Sequence, residues 1–193
     1  EREVIRYKLL KNKNDKDKFL ERHVVLRKIL TRYNNLNIDK IKLRYNKFGK
    51  PNVKDRSLCF NISRTQGFFA VAVSNNPIGI DIEKIRNIKN LNTSKFFCTD
   101  NELKYINNSA PKSAAFLELW TLKESLIKNT GKGISFELKR ASFKIYNHKI
   151  ILKLNNKIDT MHKFIMIKKM GNILSICYTG KPAKPKITVF NKI

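Results

Sequence analysis

Apolar and polar positions follow two different periods in the first half of the chain, and these predict one helix and several strands. Over residues 16–33 apolar side chains recur every three or four positions, which is the spacing of an amphipathic helix. Over residues 41–45 they alternate with basic side chains, which predicts a half-exposed strand. Apolar runs at 58–63, 68–74 and 78–85 predict three more strands, and their short connections indicate antiparallel neighbours.

The second half of the chain repeats this order of elements. Thr99-Asp100-Asn101-Glu102 has the form of a capping box, which predicts a helix that runs to residue 107. A longer helix is predicted from Pro111 to Gly131, because proline is tolerated in a first helical turn and glycine favours the left-handed exit. Strand-like segments follow at 142–146, 149–154, 163–169, 173–179 and 186–190. The sequence therefore predicts an α+β fold of mostly antiparallel sheets with packed helices, in two halves at residues 1–90 and 91–193.

The composition of the chain is strongly basic. Its 193 residues include 41 Lys and Arg against 15 Asp and Glu, which gives a formal net charge of +26. Such a charge attracts nucleic acid, anionic lipid, acidic proteins or phosphate-rich small molecules, although most lysines can equally well coat a solvated surface. The basic residues are scattered, apart from Lys181-Pro182-Ala183-Lys184-Pro185-Lys186, and no nucleic-acid-binding motif accompanies them. Nucleic acid is therefore the second choice of partner.

Other features of the composition exclude several classes of protein. With 41% hydrophobic residues the chain can bury a packed core, so it is not a disordered basic tail. No apolar run approaches the roughly 18 residues of a membrane span, and no secretory apolar segment follows the first residues. The three cysteines, Cys59, Cys98 and Cys177, lack partners at metal-ligand spacing, which argues against a zinc module or a disulfide scaffold. We therefore expect a cytoplasmic protein with no membrane partner.

Two of the scarce acidic residues, Asp81 and Glu83, lie two positions apart on the predicted strand 78–85. They therefore share one face of that strand, while Ile80 and Ile82 take the other. Two like charges on one face repel each other, so an interaction must offset that cost. One interpretation is a solvated face screened by lysines. The other is a site for a hard divalent cation such as Mg²⁺, which prefers carboxylate oxygens, water and phosphate.

Glu124 is a candidate third carboxylate. It lies at the edge of the apolar arc of the predicted helix 111–131, and Lys128 follows one turn later on the same face. On this helix alone the simpler interpretation is an ordinary i,i+4 pair worth about 0.2–0.5 kcal/mol. Lys123 falls inside the apolar arc, and the simplest explanation is that its stem is buried while its ammonium reaches solvent.

The acid-bearing strand and helix belong to a longer series of short motifs. In chain order these are Gly49-Lys50-Pro51, Asn61-Ile62-Ser63, Pro77-Ile78-Gly79-Ile80-Asp81-Ile82-Glu83, Phe96-Phe97, Trp120-Thr121-Leu122-Lys123-Glu124-Ser125, Lys128 and Gly131-Lys132-Gly133. The series resembles the surfactin-type 4′-phosphopantetheinyl transferases in order and spacing. The pairing of the acid-bearing strand with the Trp-Thr-Leu-Lys-Glu helix is specific to that family. The likeness covers residues 16–135 well and the remainder only in pattern.

The resemblance implies a fold of two similar α/β halves related by pseudo-two-fold symmetry, with coenzyme A bound in the cleft between them. It also implies Mg²⁺ held by Asp81, Glu83 and Glu124, with Glu124 and Lys128 as the catalytic residues. The donor-binding residues that it implies are Gly49, Lys50 and Pro51 at the adenine end, Ser63, Arg64 and Lys128 at the phosphates, and Arg6 at the 3′-phosphate.

Three positions depart from the family pattern. Arg64 stands where the family usually has histidine, and a guanidinium can still bind a phosphate without titrating near neutral pH. Glu102, which corresponds to a family glutamate, follows Phe96-Phe97 at a distance one residue too long. The family's first strand is largely absent ahead of Glu1.

The activity that the resemblance implies is transfer of the 4′-phosphopantetheine arm from coenzyme A to a serine hydroxyl of an apo acyl or peptidyl carrier protein, with release of adenosine 3′,5′-bisphosphate. Glu124, or a metal-bound water beside it, would take the serine proton. Carrier proteins are generally acidic, so part of the positive charge would steer them in. We expect a monomer built as an internal pseudo-dimer. The alternatives are a basic nucleic-acid-binding module and a non-catalytic homologue that binds coenzyme A.

Overall fold

The computed structural model describes residues 2–34, 37–54, 58–133, 138–147 and 149–180. The helices are α1 (Arg2–Leu9), α2 (Lys13–Asn34), α3 (Asp100–Asn107) and α4 (Lys112–Thr130). The strands are β1 (Leu43–Tyr45), β2 (Pro51–Val53), β3 (Cys59–Thr65), β4 (Phe68–Ser74), β5 (Ile78–Lys84), β6 (Ala141–Tyr146), β7 (Lys149–Leu154), β8 (Lys157–Ile158), β9 (His162–Lys169) and β10 (Asn172–Thr179). The predicted α+β class is confirmed.

The structure confirms the helices predicted from the sequence and, for α3 and α4, the residues predicted to begin and end them. The predicted amphipathic helix 16–33 lies within α2. At the start of α3 the Thr99 amide donates to Glu102 Oε2 at 2.7 Å, as the capping box predicts. Helix α4 begins directly after Pro111 and ends at Gly131, which has a φ of +67°. Helix α1 was not predicted, and none of its residues is buried.

The strands form two three-stranded sheets and two hairpins, all antiparallel. The orders are β5-β10-β9, β6-β7-β8, β1-β2 and β3-β4. The expectation that β4 and β5 are hydrogen-bonded neighbours is wrong, because β5 instead pairs with β10 near the end of the described chain. The division of the chain at residue 90 stays a prediction. The predicted strand 186–190 and the basic run 181–186 lie outside the described residues.

Helix α4 is the centre of the largest hydrophobic core. It packs against β5 and β10, and it buries leucines at positions 117, 119, 122 and 126. A second core lies between α2 and the β3–β4 hairpin, around Leu26, Leu30 and Phe60. None of the helices in the described ranges is both long and apolar enough to cross a membrane.

The β3–β4 hairpin is attached to the β5 sheet by side chains. Every second residue of β3 accepts a hydrogen bond from a backbone amide of β5. The three bonds run from Ile80 N to Asn61 Oδ1 at 2.9 Å, from Ile82 N to Ser63 Oγ at 3.3 Å and from Lys84 N to Thr65 Oγ1 at 3.2 Å. One edge of β5 pairs with β10. The side chains of Asn61, Ser63 and Thr65, here called the side-chain ladder, supply hydrogen-bond acceptors for the backbone amides on the other edge, which would otherwise be unpaired.

A fully buried ion pair joins α3, α4 and the start of β6. Lys123 and Glu102 are both 0% exposed, and Lys123 Nζ lies 3.0 Å from Glu102 Oε1. The ammonium also donates to the carbonyls of Leu138 and Ala141, and the Phe143 amide donates to Glu102 at 2.9 Å. Burial lowers the pKa of Lys123, and Glu102 opposes that shift. The expectation that Lys123 reaches solvent is therefore wrong, because its ammonium has three acceptors inside the core.

The side-chain ladder predicts that removing its acceptors one at a time should lower the free energy of unfolding by different amounts along β3. Asn61→Ala leaves the buried amide of Ile80 without its acceptor and should lower the free energy of unfolding by about 2 kcal/mol. Thr65→Val is the matched control, because the amide of Lys84 is exposed and can bond to water, so the loss should stay below about 0.5 kcal/mol. Denaturant unfolding measures both, and equal losses would contradict the ladder.

Candidate functional site

Asp81 on β5 is the point at which three elements meet. Its side chain is buried, and Oδ1 accepts from Ser63 Oγ on β3 at 2.8 Å and from Lys128 Nζ on α4 at 2.7 Å. Lys128 Nζ also lies 3.1 Å from Ser63 Oγ. Ser63 therefore donates to one partner and accepts from two, which uses the whole capacity of its hydroxyl.

The second carboxylate oxygen of Asp81 has no such partner. Asp81 Oδ2 is buried and makes no hydrogen bond within the described residues. An ionised oxygen in that state carries an uncompensated desolvation cost. The site is therefore suited to a cation or a hydrogen-bond donor that approaches Oδ2.

Glu83, the second acid of β5, is less buried. Its carboxylate is 24% exposed, and Oε2 accepts from Arg86 Nη1 at 3.0 Å. It lies near enough to Glu124 for the two charges to interact, as does Asp81. The three carboxylates predicted from sequence therefore converge on one region of the molecule.

Glu124 on α4 has an altered acidity. Burial raises the pKa of its carboxyl, Lys128 opposes this, and the like charges of Asp81 and Glu83 add to the rise. In the described ranges, these carboxylates do not form a group of three or more ligands at metal-holding spacing. Lys128 bonds Asp81 directly, so the simple i,i+4 pair with Glu124 is an incomplete account of this lysine.

Two adjoining cavities open beside Asp81, with volumes of about 310 and 670 Å³. All seven predicted donor-binding residues line them. Gly49, Lys50 and Pro51 line the first, Ser63 and Arg64 line the second, and Arg6 and Lys128 line both. Asp81 lines the second cavity, and neither lining includes Glu83 or Glu124.

Lys50 uses its ammonium inside the fold. Lys50 Nζ donates to the carbonyls of Ile78 and Asn129, each at 3.1 Å, and burial lowers its pKa. These bonds tie the loop before β2 to the start of β5 and the end of α4. Two of the three donors of this ammonium are therefore used inside the fold, which leaves the stem and one donor for a ligand in the first cavity.

Helix α1 closes one side of both cavities through polar contacts. The Arg6 guanidinium lies 5.8 Å from the centre of the Tyr45 ring. Glu3 pairs with His23 at 2.6 Å and with Arg27 at 2.5 Å, and its pKa falls to about 2, chiefly through the hydrogen bond with His23. The position of Arg6 therefore depends on charge contacts that carry no hydrophobic signal in the sequence.

Gly79 sets the distance between β5 and α4. A Cβ at this position would lie 2.0 Å from Ser125 O and 2.4 Å from Asn129 N, so only glycine allows the helix to lie this close to the strand. Lys128 lies between those two helix residues, and the close approach brings its ammonium to Asp81.

The comparisons with known sequences agree with these motifs. The family model described as the 4′-phosphopantetheinyl transferase superfamily matches residues 77–176, just over half of the chain. The match contains β5, α3 and α4, and so it includes Asp81, Glu83, Glu124 and Lys128. The chain belongs to this superfamily, as its motifs predict.

Individual relatives are of the surfactin type. The chain is 38% identical over 125 residues to 4′-phosphopantetheinyl transferase gsp of Aneurinibacillus migulanus, covering 64% of this chain and 52% of the relative. It is 32% identical over 138 residues to 4′-phosphopantetheinyl transferase Sfp of Bacillus subtilis, covering 70% and 61%. The chain spans about half the length of the curated relatives it matches.

Solved structures resemble this chain more weakly. A holo-(acyl-carrier-protein) synthase from Bacillus anthracis, solved in complex with CoA (3′,5′-ADP), has 18% identity and a TM-score of 0.45, and the match covers 53% of this chain and 94% of that one. At this level, the likeness carries no information about the roles of the residues in the candidate site.

Sequence reasoning missed two features of the site. One is the contact between Lys128 and Asp81, which are 47 positions apart. The other is Arg22, which lines the second cavity from α2. Only the three-dimensional packing of α2, β3 and α4 brings these residues to Asp81, so local spacing carries no signal for them.

The close approach at Gly79 predicts a specific defect. Gly79→Ala should push α4 away from β5, lower the free energy of unfolding by about 1–3 kcal/mol and separate Lys128 from Asp81. Gly67→Ala is the control, because nothing lies within 4 Å of its Cβ and its φ of +77° costs about 1 kcal/mol through the backbone alone.

Unfolding free energies and the distance from Lys128 Nζ to Asp81 Oδ1 in crystal structures of the two variants measure the two effects. That distance should increase in the Gly79 variant and stay near 2.7 Å in the Gly67 variant. An unchanged distance in the Gly79 variant would show that the spacing does not control the contact.

Proposed function

We propose that this chain transfers the 4′-phosphopantetheine group of coenzyme A to a serine hydroxyl of an apo acyl or peptidyl carrier protein and releases adenosine 3′,5′-bisphosphate. The observation that carries the proposal is the buried Asp81 beside two cavities, with Lys128 on one oxygen and the other oxygen unpaired. Membership of the superfamily supports the same reaction. The acting unit is proposed to be the monomer.

Coenzyme A is proposed to lie along the two cavities. Gly49, Pro51 and the stem of Lys50 would contact the adenine end, while Arg64, Lys128 and Arg6 would contact the phosphates. Four of these residues are basic, namely Lys50, Arg64, Lys128 and Arg6, whereas Asp81 is the acidic residue in the two linings, so the cavity walls favour an anionic ligand. Ser63 lies at the phosphate end, where its hydroxyl orients Asp81 and Lys128.

The chemistry of the carboxylates around Asp81 suits a magnesium ion, although among the described residues their spacing is not that of a formed metal site. Asp81, Glu83 and Glu124 would hold it, because they supply the carboxylate oxygens that Mg²⁺ prefers and Asp81 Oδ2 lacks a partner. When bound, the ion supplies charge neutralisation to the diphosphate oxygens. The orphan oxygen supports this assignment independently of the family resemblance.

The transfer requires a proton acceptor and a stabiliser of the leaving group. The carrier serine oxygen forms a bond to the phosphorus of the phosphopantetheine, and the bridging P–O bond breaks with its electron pair going to adenosine 3′,5′-bisphosphate. Glu124 would accept the serine proton. Lys128 stabilises the charge that develops on the leaving phosphate.

The net charge of +26 suits an acidic carrier protein. Long-range attraction raises the rate of encounter between oppositely charged proteins, and salt screens it. The scattered lysines would therefore raise the rate of encounter with the carrier protein, in addition to any role in solubility.

A second candidate is a homologue that binds coenzyme A without turnover. The direct pair between Lys128 Nζ and Asp81 Oδ1 at 2.7 Å favours it, because an ammonium in that position competes with a metal ion for the carboxylate. Arg64 in place of the family's usual histidine points the same way.

A mass assay tests the reaction directly. The chain is incubated with coenzyme A, Mg²⁺ and an apo acyl or peptidyl carrier, and mass spectrometry of the carrier should show the gain of one phosphopantetheine group on its serine. A carrier whose serine is replaced by alanine should gain nothing. Binding of coenzyme A in calorimetry without any gain in carrier mass would establish the non-catalytic alternative.

The carboxylates should be required for turnover. Asp81→Asn and Glu124→Gln should each reduce the transfer rate by at least about a hundredfold, because they remove cation ligands or the base. Excess EDTA should abolish transfer, and added Mg²⁺ should restore it. The control Asp39→Asn removes an exposed carboxylate and should leave the rate unchanged. Near-normal rates for Asp81→Asn would remove the metal assignment.

A further inference from the structure

The outer face of the sheet β6-β7-β8 combines apolar and basic residues. Residues that lie opposite each other on antiparallel strands share one face of the sheet. Three cross-strand pairs lie on this face: Lys144 with Ile151, Tyr146 with Lys149, and Lys153 with Ile158. All six residues are exposed. We use the term outer face for these six residues.

The register arranges the outer face into an apolar stripe between lysines. Tyr146 pairs with the residue two positions before Ile151, and Ile158 pairs with the residue two positions after it, so these three residues lie on one diagonal. Diagonal neighbours are about 7–8 Å apart, which is within reach of large side chains. The lysines flank this stripe on both sides, Lys149 on one side and Lys144 and Lys153 on the other.

The apolar stripe is unusual on the exposed face of such a sheet. The inner face packs on the main core, where Ala141, Phe143 and Leu152 are buried. An antiparallel sheet with one face on the core normally presents polar residues on the other face. Tyr146 and Ile158 are instead 64% and 65% exposed. Covering the stripe with an apolar partner would therefore be favourable.

The lysines of the outer face select the charge of such a partner. None of the residues of β6, β7 and β8 is acidic. The next acid along the chain, Asp159, accepts from the backbone amide of His162 at 2.7 Å and is thereby paired. The outer face therefore favours a partner that brings carboxylates beside its own apolar side chains. A second copy of this chain does not fit, because lysine would face lysine.

Two other anionic partners fit the outer face less well. Single-stranded nucleic acid is bound by stacking its bases on successive aromatic rings, whereas the outer face has one ring, that of Tyr146. Insertion into a membrane requires apolar side chains that protrude, whereas on a sheet the longer lysines extend beyond the isoleucines. A protein helix meets neither obstacle, because its own apolar side chains reach between the lysines to the stripe.

We propose that the outer face binds an amphipathic α-helix of a partner protein. The apolar side of that helix would lie on Tyr146, Ile151 and Ile158, with its Asp and Glu side chains beside the lysines. The stripe is about 15 Å long, which is the length of about ten helical residues at about 1.5 Å each. Three strands at a spacing of about 4.8 Å are also about as wide as one helix.

This docking site is separate from the proposed reaction site. On α4, Lys123 contacts the carbonyl of Ala141 at the start of β6, whereas Lys128 contacts Asp81 on β5. The step from Lys123 to Lys128 turns the helix by about 140°, so β6 and Asp81 lie on different sides of α4. The partner helix would therefore attach to the chain without covering the two cavities. The inference does not depend on the proposed function.

The test uses the full chain and two synthetic helical peptides. The first peptide carries a leucine stripe flanked by glutamates, and the second has the same composition in an order that removes the stripe. NMR of the backbone amides shows where each peptide binds, and fluorescence anisotropy measures its affinity. The first peptide should shift the amide signals of β6, β7 and β8. It should bind at least about tenfold more tightly than the second, because it alone buries the apolar stripe.

Two variants separate the apolar contribution from the ionic one. Ile151→Ser should weaken binding of the first peptide about fivefold at low and at high salt, because salt does not screen an apolar contact. Lys153→Gln should weaken it about threefold at low salt only. The controls Leu20→Ser and Lys28→Gln alter exposed residues of α2 and should leave the affinity unchanged. All four positions are exposed, so the unfolding temperature should change little.

Equal affinities for the two peptides would overturn the inference, because charge alone would then explain the binding. Binding of the first peptide without shifts in β6, β7 and β8 would overturn it as well. Two further probes, a single-stranded oligonucleotide and phosphatidylserine vesicles, test the other anionic partners. If either probe shifts these amides while the first peptide does not, nucleic acid or membrane is the partner and the inference is wrong. The proposed transfer reaction is measured separately and stands under each of these outcomes.

Discussion

The Asp81 carboxylate is the interaction on which the arrangement of the site depends. It joins β3 through Ser63 and α4 through Lys128, and it lies on the strand that links the β3–β4 hairpin to the β9–β10 pair. A buried carboxylate is tolerated only where its charge is paired and hydrogen-bonded. The contacts that satisfy Oδ1 are therefore also those that hold the three elements around the two cavities.

At the open edge of β5, hydrogen bonds to side chains take the place of the backbone pairing that usually joins neighbouring strands. Asn61 and Ser63 supply acceptors to the open edge of β5, and Gly79 lets α4 lie directly on the same strand. A strand in this environment has little freedom to move relative to its neighbours, because its amides, its side chains and its Cα atoms are all in contact. A buried carboxylate with one unpaired oxygen can persist only on such a rigid element.

Local rules account for what the sequence predicted. The capping box at Thr99 and the left-handed exit at Gly131 each depend on neighbours within four residues, and both are found in the structure. The acids of β5 and Glu124 were recognisable because their motifs are short and distinctive. Contacts between distant segments were not recognisable: Lys123 falls inside the apolar arc of its helix and its ammonium was expected to reach solvent, yet it is enclosed by Glu102 and two carbonyls.

Two lysines of α4, the buried Lys123 and the half-buried Lys128, show how charge is divided between structure and site. Lys123 has both a carboxylate and backbone carbonyls as partners, so its charge is fully compensated and serves the fold. Lys128 is 27% exposed and shares one oxygen of Asp81, so it keeps donor capacity for a ligand in the cavity. An incoming phosphate can therefore recruit Lys128 without unfolding its surroundings, and the carboxylate that it leaves would then be free to hold a cation.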